Sequence, residues 1–310
     1  MHDFFIDRLV RPQDTDALFR IAKSKAEQGG GSVHGVLQED VRGGNAVNLA
    51  NALAMLGNKV LLITHSDPQH RGMLTEAFEG LDAETRVKLL PPGLTVSLEG
   101  KVNVMLSDSG GAANFPPSLL TKSDWTALGR SKIVCSVNWS SNRHGTSLLR
   151  ALRRKLGPGK NLFFNPSDVR DRFGEYRELM VRVKENHLVD WVSLNEYEAQ
   201  TTATALGIRE TDPRRLCADI SRALGVKVDV HTEWAVHTST GEAATSARTE
   251  HVRAKRLTGA GDVWDAASIT GFLKGMHDTE RLRFANAAAR LYVKSGNPLP
   301  PTIKQVRAAL

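Results

Sequence analysis

Short apolar runs alternate with longer mixed segments along most of the 310 residues. Residues 59–64, 132–137, 161–164 and 189–194 are nearly unbroken apolar stretches, each followed by turn residues and then by a helical pattern. Strands apolar on both faces and separated by helices predict a mainly parallel sheet covered on both sides, the doubly wound α/β class. Two regions break this rhythm. Residues 8–42 hold a polar helix candidate (16–28), the break Gly29-Gly30-Gly31 and an alternating segment (32–41). Residues 94–107 alternate around Glu99-Gly100-Lys101, a hairpin signal. These regions predict a small β-sheet lid, with segments at about 8–42 and 94–113, over one edge of the main sheet. No repeat or linker interrupts the chain, so one domain over 1–310 is expected.

Glycines mark two helix starts. Gly43-Gly44-Asn45-Ala46-Val47-Asn48 leads into a helix with Leu49, Leu53 and Leu56 on one face and Gly57 as its stop. Asn45 is a candidate cap for it, and Asn48 points from the first turn toward whatever occupies that terminus. Thr258-Gly259-Ala260-Gly261-Asp262 stands before a helix of small residues. Glycines there let backbone N–H groups converge on an anion at a helix N-terminus. Asp262 is placed to take a proton from a hydroxyl attacking that anion, which points to phosphoryl transfer. Between them, Asn195-Glu196-Tyr197-Glu198 follows the strand at 189–194, where ligand sites of open α/β sheets lie. Glu198 suits Mg²⁺ held through water, and equally suits a plain acidic helix start.

Composition narrows the field. Hydrophobic residues make up 41% and charged residues 24%, ordinary for a globular chain. No apolar run approaches the roughly 18 residues of a membrane span, and the first residues lack a secretory pattern, so a cytoplasmic enzyme without membrane contact is expected. Cys135 and Cys217 stand apart with no metal-ligand spacing, and both read as small buried residues. The net charge of +7 comes from scattered residues; the densest group, Arg150-Ala151-Leu152-Arg153-Arg154-Lys155, reads as the solvated face of one helix. No recognition motif accompanies it, so nucleic acid is not an expected partner.

In this order and spacing, Gly43-Gly44-x-x-x-Asn48, Asn195-x-x-Glu198 and Thr258-Gly259-Ala260-Gly261-Asp262 resemble the ribokinase-like (PfkB) family of carbohydrate and nucleoside kinases. The resemblance implies ATP as donor, Mg²⁺, and Asp262 as general base. It further implies that Gly259, Ala260 and Gly261 offer N–H groups to the transferring phosphoryl, with Thr258 beside the nucleotide. Asn195 and Glu198 would organise Mg²⁺ and its waters, and His231 and Thr232 lie in the segment that borders the nucleotide. Asp7 falls where the family places a sugar-binding aspartate, with Gly43, Gly44 and Asn48 beside it. Asn138 is a further pocket candidate, for which a turn cap is the competing reading. A homodimer through the lid is also expected, since an exposed β edge often pairs with its twin.

Three departures accompany the resemblance. Arg256 and Leu257 stand where the family usually has an acidic residue and a threonine; the acidic residue is associated with a monovalent-cation site, so no potassium activation is expected. The nucleotide turn, His231-Thr232-Glu233-Trp234, is bulky and acidic instead of glycine-rich, and Trp234 either reshapes a nucleotide pocket or fills a packed turn. Only six residues precede Asp7. Arg170 and Arg172 are candidate readers of a carboxylate or phosphate, against the reading of surface residues. A sugar kinase leads; a nucleoside kinase and a non-catalytic ligand-binding protein on the same scaffold stand as alternatives.

Overall fold

In the computed structural model, residues 1–99, 103–295 and 298–310 are described. The proposed turn at Gly100-Lys101 lies outside them. The chain opens with β1 (Phe5–Arg11), α1 (Thr15–Glu27), β2 (Leu37–Gly43) and α2 (Asn45–Met55). β3 (Val60–Ser66), α3 (Arg71–Ala77) and β4 (Ala83–Leu89) follow, then the hairpin strands β5 (Gly93–Glu99) and β6 (Asn103–Asp108). The middle runs through α4 (Lys122–Arg130), β7 (Ile133–Val137), α5 (Gly145–Leu156), β8 (Asn161–Asn165) and α6 (Phe173–Asn186). Next come β9 (Trp191–Asn195), α7 (Glu196–Leu206), α8 (Pro213–Leu224), β10 (Lys227–His231), β11 (Ala235–Ser239) and β12 (Thr245–Arg248). The chain ends in α9 (Ala260–Leu273), α10 (Asp278–Ser295) and α11 (Ile303–Ala308).

The main sheet has the order β12-β11-β10-β9-β8-β7. β7 to β10 are parallel, and β11 and β12 are antiparallel additions at one edge. β3 and β4 form a parallel pair. Residues 1–3 lie between that pair and β7: His2 N–H donates to Ile63 O at 3.0 Å, and the Met1 amino group donates to Cys135 O at 2.6 Å. Alternation in the parallel strands explains their unbroken apolar character. Phe163 and Trp191 face the core shared with α2, α9 and α10, whereas Phe164, Val192 and Leu194 face the core under α6, α7 and α8.

The lid is a four-stranded sheet, β2-β1-β5-β6, in which β1 is antiparallel to β2 and parallel to β5. It starts earlier in the chain than the pattern suggested. Phe5–Arg11 belongs to the lid, because β1 pairs with β2 and β5 along its length, so Asp7 sits mid-strand opposite Val41 and Thr95. The inner face carries buried Asp7, Leu9, Thr95 and Ser97. The outer face exposes Leu94, Val104 and Leu106. Between β1 and β2, α1 is capped by Asp14, which accepts from Ala17 N–H, and buries none of its residues.

Candidate active site

The N-terminus of α9 depends on two glycines. Gly259 has φ +86, a conformation an L residue adopts only with strain, and a Cβ there would lie 2.8 Å from the Tyr292 hydroxyl. That hydroxyl donates to Thr258 O at 3.0 Å, and Arg256 Nε donates to the hydroxyl at 2.9 Å, so the turn is fastened from below by α10. Gly261 passes close to His231, whose ring a Cβ would meet at 3.5 Å. Asp262 is the third residue of the helix and is nearly buried. Its Oδ1 accepts from Asn45 Nδ2 and its Oδ2 from Asn48 Nδ2, both at 3.0 Å. Burial pushes its pKa well above the ordinary aspartate value, the Asn48 and Asn45 amides pull it back, and the nearby Asp265 and Asp3 carboxylates add to the rise.

Those two asparagines come from the first turn of α2. The helix begins after Gly44, which at φ +96 lets the chain pass within 2.9 Å of Asp3 O, measured to where a Cβ would stand. Its cap is supplied from a distance: the buried Asp3 carboxylate accepts from Asn45 N–H and Ala46 N–H, both at 2.8 Å. Asn45 is therefore not the cap that its position suggested; its backbone is capped by Asp3 and its amide is free to reach Asp262. Gly43 leaves room for the Asp7 carboxylate, which a Cβ would overlap at 2.2 Å. Arg42 donates to Asn48 Oδ1 at 3.2 Å and Asn51 Oδ1 at 2.6 Å, orienting the Asn48 amide with its nitrogen toward Asp262.

Across from them, Asn195 and Glu198 form a reciprocal capping box at the start of α7: Asn195 Oδ1 accepts from Glu198 N–H and Glu198 Oε2 from Asn195 N–H, each at 2.9 Å. Burial raises the Glu198 pKa to about 7. Asn45, Asn165, Asn195, Glu198, His231, Gly259, Gly261 and Asp262 line one cleft of about 120 Å³ at the C-terminal ends of β8, β9 and β10. His231 Nε2 is buried there without an acceptor or donor partner, and burial lowers the ring's pKa to about 4. One turn below Asp262, buried Asp265 accepts from Ser193 Oγ at 2.5 Å and Asn165 Nδ2 at 2.9 Å, and burial raises its pKa to about 7.

Other expected site residues lie around this cleft. The Ala260 N–H donates to Leu257 O at 3.0 Å, so in this conformation it is committed to the turn. Thr232 closes the β10–β11 turn, its Oγ1 accepting from Ala235 N–H at 3.1 Å and Trp234 N–H at 3.2 Å. Trp234 neither enters the cleft lining nor fills a packed turn; it is two-thirds exposed and stacks on His251. Asn138, in the left-handed region at φ 57, makes no side-chain bond to the backbone of the turn that follows it; its Oδ1 accepts from the Ser140 and Ser141 hydroxyls while Nδ2 donates to Asp3 at 2.8 Å. Arg170 pairs with Asp168 on the surface. Arg172 donates to the carbonyls of Trp139, Ser140 and Asn142 and lies 4.2 Å over the Trp139 ring, clamping that turn.

Asp3, Asp265 and Asn165 escaped the sequence reading. Asp3 and Asn165 act through partners far along the chain and leave no local pattern. Asp265 did leave one, an acidic residue inside a helix of small buried side chains.

Among the described residues no group of three His, Cys, Asp or Glu gathers to hold a metal alone. Glu198, which lines the cleft with Oε2 in its capping box, fits a Mg²⁺ ion that keeps its waters and binds through one or two carboxylates plus phosphate oxygens. The glycine cradle and the unpartnered His231 Nε2 suit an anionic group at the α9 terminus.

Comparison with known proteins agrees with this fold. The structure is similar over 99% of its length to the ribokinase of Thermotoga maritima (21% identity, TM-score 0.77, 96% of that chain). It is also similar to the adenosine kinase of Sinorhizobium meliloti (17%, 0.78, 96%) and to Arabidopsis thaliana ribokinase complexed with ribose and ATP (18%, 0.76, 96%), again over 99% of this chain. No curated protein matches the chain. The family description "Prokaryotic ketohexokinase" matches residues 13–310. The chain belongs to that family, within the ribokinase-like carbohydrate kinases, and is a sugar-kinase phosphotransferase.

Proposed function

We propose that the protein transfers the γ-phosphoryl group of ATP to a hydroxyl of a ketohexose-like sugar, with Asp262 as general base. The observation that supports this most is the buried Asp262 carboxylate, held by Asn45 and Asn48 at the N-terminus of α9 and facing the cleft. The substrate hydroxyl gives its proton to an Asp262 oxygen as its own oxygen bonds to the γ-phosphorus, and ADP leaves with the electrons of the broken P–O bond. Two fixed amides keep the carboxylate aimed without neutralising it. The N–H groups of Gly259 and Gly261 are near the incoming charge, where the helix dipole favours it. Mg²⁺ would neutralise the phosphate chain. Glu198 Oε2 is committed to its capping box, which leaves Oε1 to orient the metal's waters. Asp7, beside Gly43 on the inner face of the lid, is the proposed sugar ligand.

ATP consumption with Mg²⁺, measured across ketohexoses, other sugars, sugar acids, sugar phosphates and nucleosides, tests this reading. A ketohexose as the best acceptor is the expected result; a nucleoside as best acceptor would replace it, and silence across the panel would leave a binding protein. The exposed Leu94, Val104 and Leu106 on the lid's outer face support pairing of lids in a homodimer. Light scattering of Leu94→Glu/Leu106→Glu is expected to give a monomer where the parent chain gives a dimer; equal masses would reject it.

A further inference from the structure

The basic run of α5 leaves Arg150, Arg154 and Lys155 exposed, as expected of a solvated helix face. Arg150, Arg153 and Arg154 line a concavity of about 310 Å³ together with Arg182, Asn186 and Leu188, the last three from the end of α6 and the segment after it. α5 and α6 end just before β8 and β9 begin, so this concavity lies at the N-terminal rim of the sheet. The candidate active site lies at the opposite rim, where Asn165 and Asn195 end the same strands. A five-residue strand separates the two rims by roughly 16 Å.

The four guanidinium groups are not equivalent. Arg153 is anchored: Nη2 donates to Asp190 Oδ2 at 2.6 Å and Nη1 to Gly157 O at 3.1 Å. Its Nε is buried with no partner. Among the described residues no carboxylate pairs with Arg150, Arg154 or Arg182, although acidic partners hold Arg153 and Arg172. Arg150 and Arg154 stand at i and i+4, where like charges on a helix repel. Three guanidinium groups without a carboxylate partner among the described residues stand around one hollow beside the anchored Arg153, an arrangement whose mutual repulsion a multiply charged anion would relieve. Guanidinium groups meet phosphate oxygens through paired N–H bonds, so the chemistry matches phosphate better than a lone carboxylate. The volume is at the lower end for a small-molecule pocket. Its lining has no aromatic ring to read a base or sugar face.

We infer that this concavity is a second binding site, for the polyphosphate chain of a small molecule, and that it recognises the phosphates and not what they are attached to. Inorganic tripolyphosphate without Mg²⁺ is the probe, titrated calorimetrically into the full chain and into Arg150→Ala/Arg154→Ala/Arg182→Ala. These three side chains are exposed and outside the candidate active site, so the variant is expected to keep its circular dichroism, melting temperature and kinase turnover. Tripolyphosphate also fits the active site, so the difference between the two proteins is the reading. The parent chain is expected to bind one more equivalent than the variant, with that equivalent weakened about tenfold or more by the substitutions and weakening further as salt is added. ATP is expected to show the same difference, since the base is not read. Identical isotherms for the two proteins overturn the proposal. A single-stranded oligonucleotide whose binding is lost in the variant while the tripolyphosphate isotherm stays unchanged overturns it in favour of a nucleic-acid surface.

Discussion

At Asp262 burial and hydrogen bonding oppose each other. A carboxylate removed from water holds its proton more tightly, while amide donors stabilise the ionised form. Burial is the larger influence and its pKa rises, so the acid limb of kcat/KM is expected well above the ordinary carboxylate range. Asn48→Ala removes the stronger of the two opposing donors, so that limb should move to still higher pH; a downward move would contradict the assignment. Asp262→Asn is expected to lower turnover at least about a hundredfold with sugar affinity largely kept, read by steady-state kinetics and by direct sugar titration. Arg256 gives a separate expectation. Its guanidinium is tied to Tyr292 beneath the Thr258 turn, a fixed positive charge where the family's cation-associated acid would stand. Rates with and without potassium should therefore agree, and strong stimulation would rule this out. Asp262, Gly259 and Gly261, which line the cleft, were legible as candidates because they fall within five consecutive residues. Asp3 was not, because its function is to cap a helix whose first residues lie 42 positions away.

Among the elements, the β9–α7 junction carries a helix cap at the edge of the cleft. Glu198 is an acidic residue at a helix start, and it also lines the candidate cleft. Its pKa is raised to about 7 against 4.5 for the free side chain. The folded state thus binds this proton more tightly than the unfolded state does. The stabilisation is full below pH 4.5 and is lost as pH rises through 7. Glu198→Gln keeps an oxygen to accept from Asn195 N–H but cannot ionise. Its melting temperature should gain on the parent's as pH rises from 4.5 past 7, while the Mg²⁺ concentration needed for half-maximal rate increases. A gain in stability with unchanged Mg²⁺ dependence would reduce Glu198 to a helix cap. The lid was partly legible: alternation located β2, β5 and β6, and the helix expected over 16–28 appears as Thr15–Glu27. β1 was not, since Phe5, Ile6, Leu9 and Val10 give no sign of which sheet they join until their partners are known.

Across the whole molecule, the main sheet is joined to α9 by a network no local pattern announces. Arg281 of α10 is fully buried and meets Asp229 of β10 through Nη1 at 2.7 Å and Nη2 at 3.0 Å, a pairing that spans 52 residues. Ser268, two turns below Asp262 on α9, donates to the same carboxylate at 3.0 Å, and Arg281 Nη2 donates to Thr238 Oγ1 of β11 at 2.8 Å. β10, β11, α9 and α10 thus share one ion pair, and the α9 terminus inherits its position from it. The apolar rhythm that predicted these elements has nothing to say about a charge placed inside them. Removing one member of such a pair strands the other in low dielectric, at a cost of about 3–5 kcal/mol, whereas replacing both with apolar groups is often near neutral. Arg281→Met should therefore lower the urea midpoint strongly, and adding Asp229→Leu should recover much of it, with the denaturant slope unchanged in both. Turnover separates stability from positioning. If the double variant is restored in stability yet remains slow, the pair's contribution is to hold α9, and with it Asp262, in register with the sheet; if stability and turnover return together, apolar packing alone suffices to place the Asp262 carboxylate.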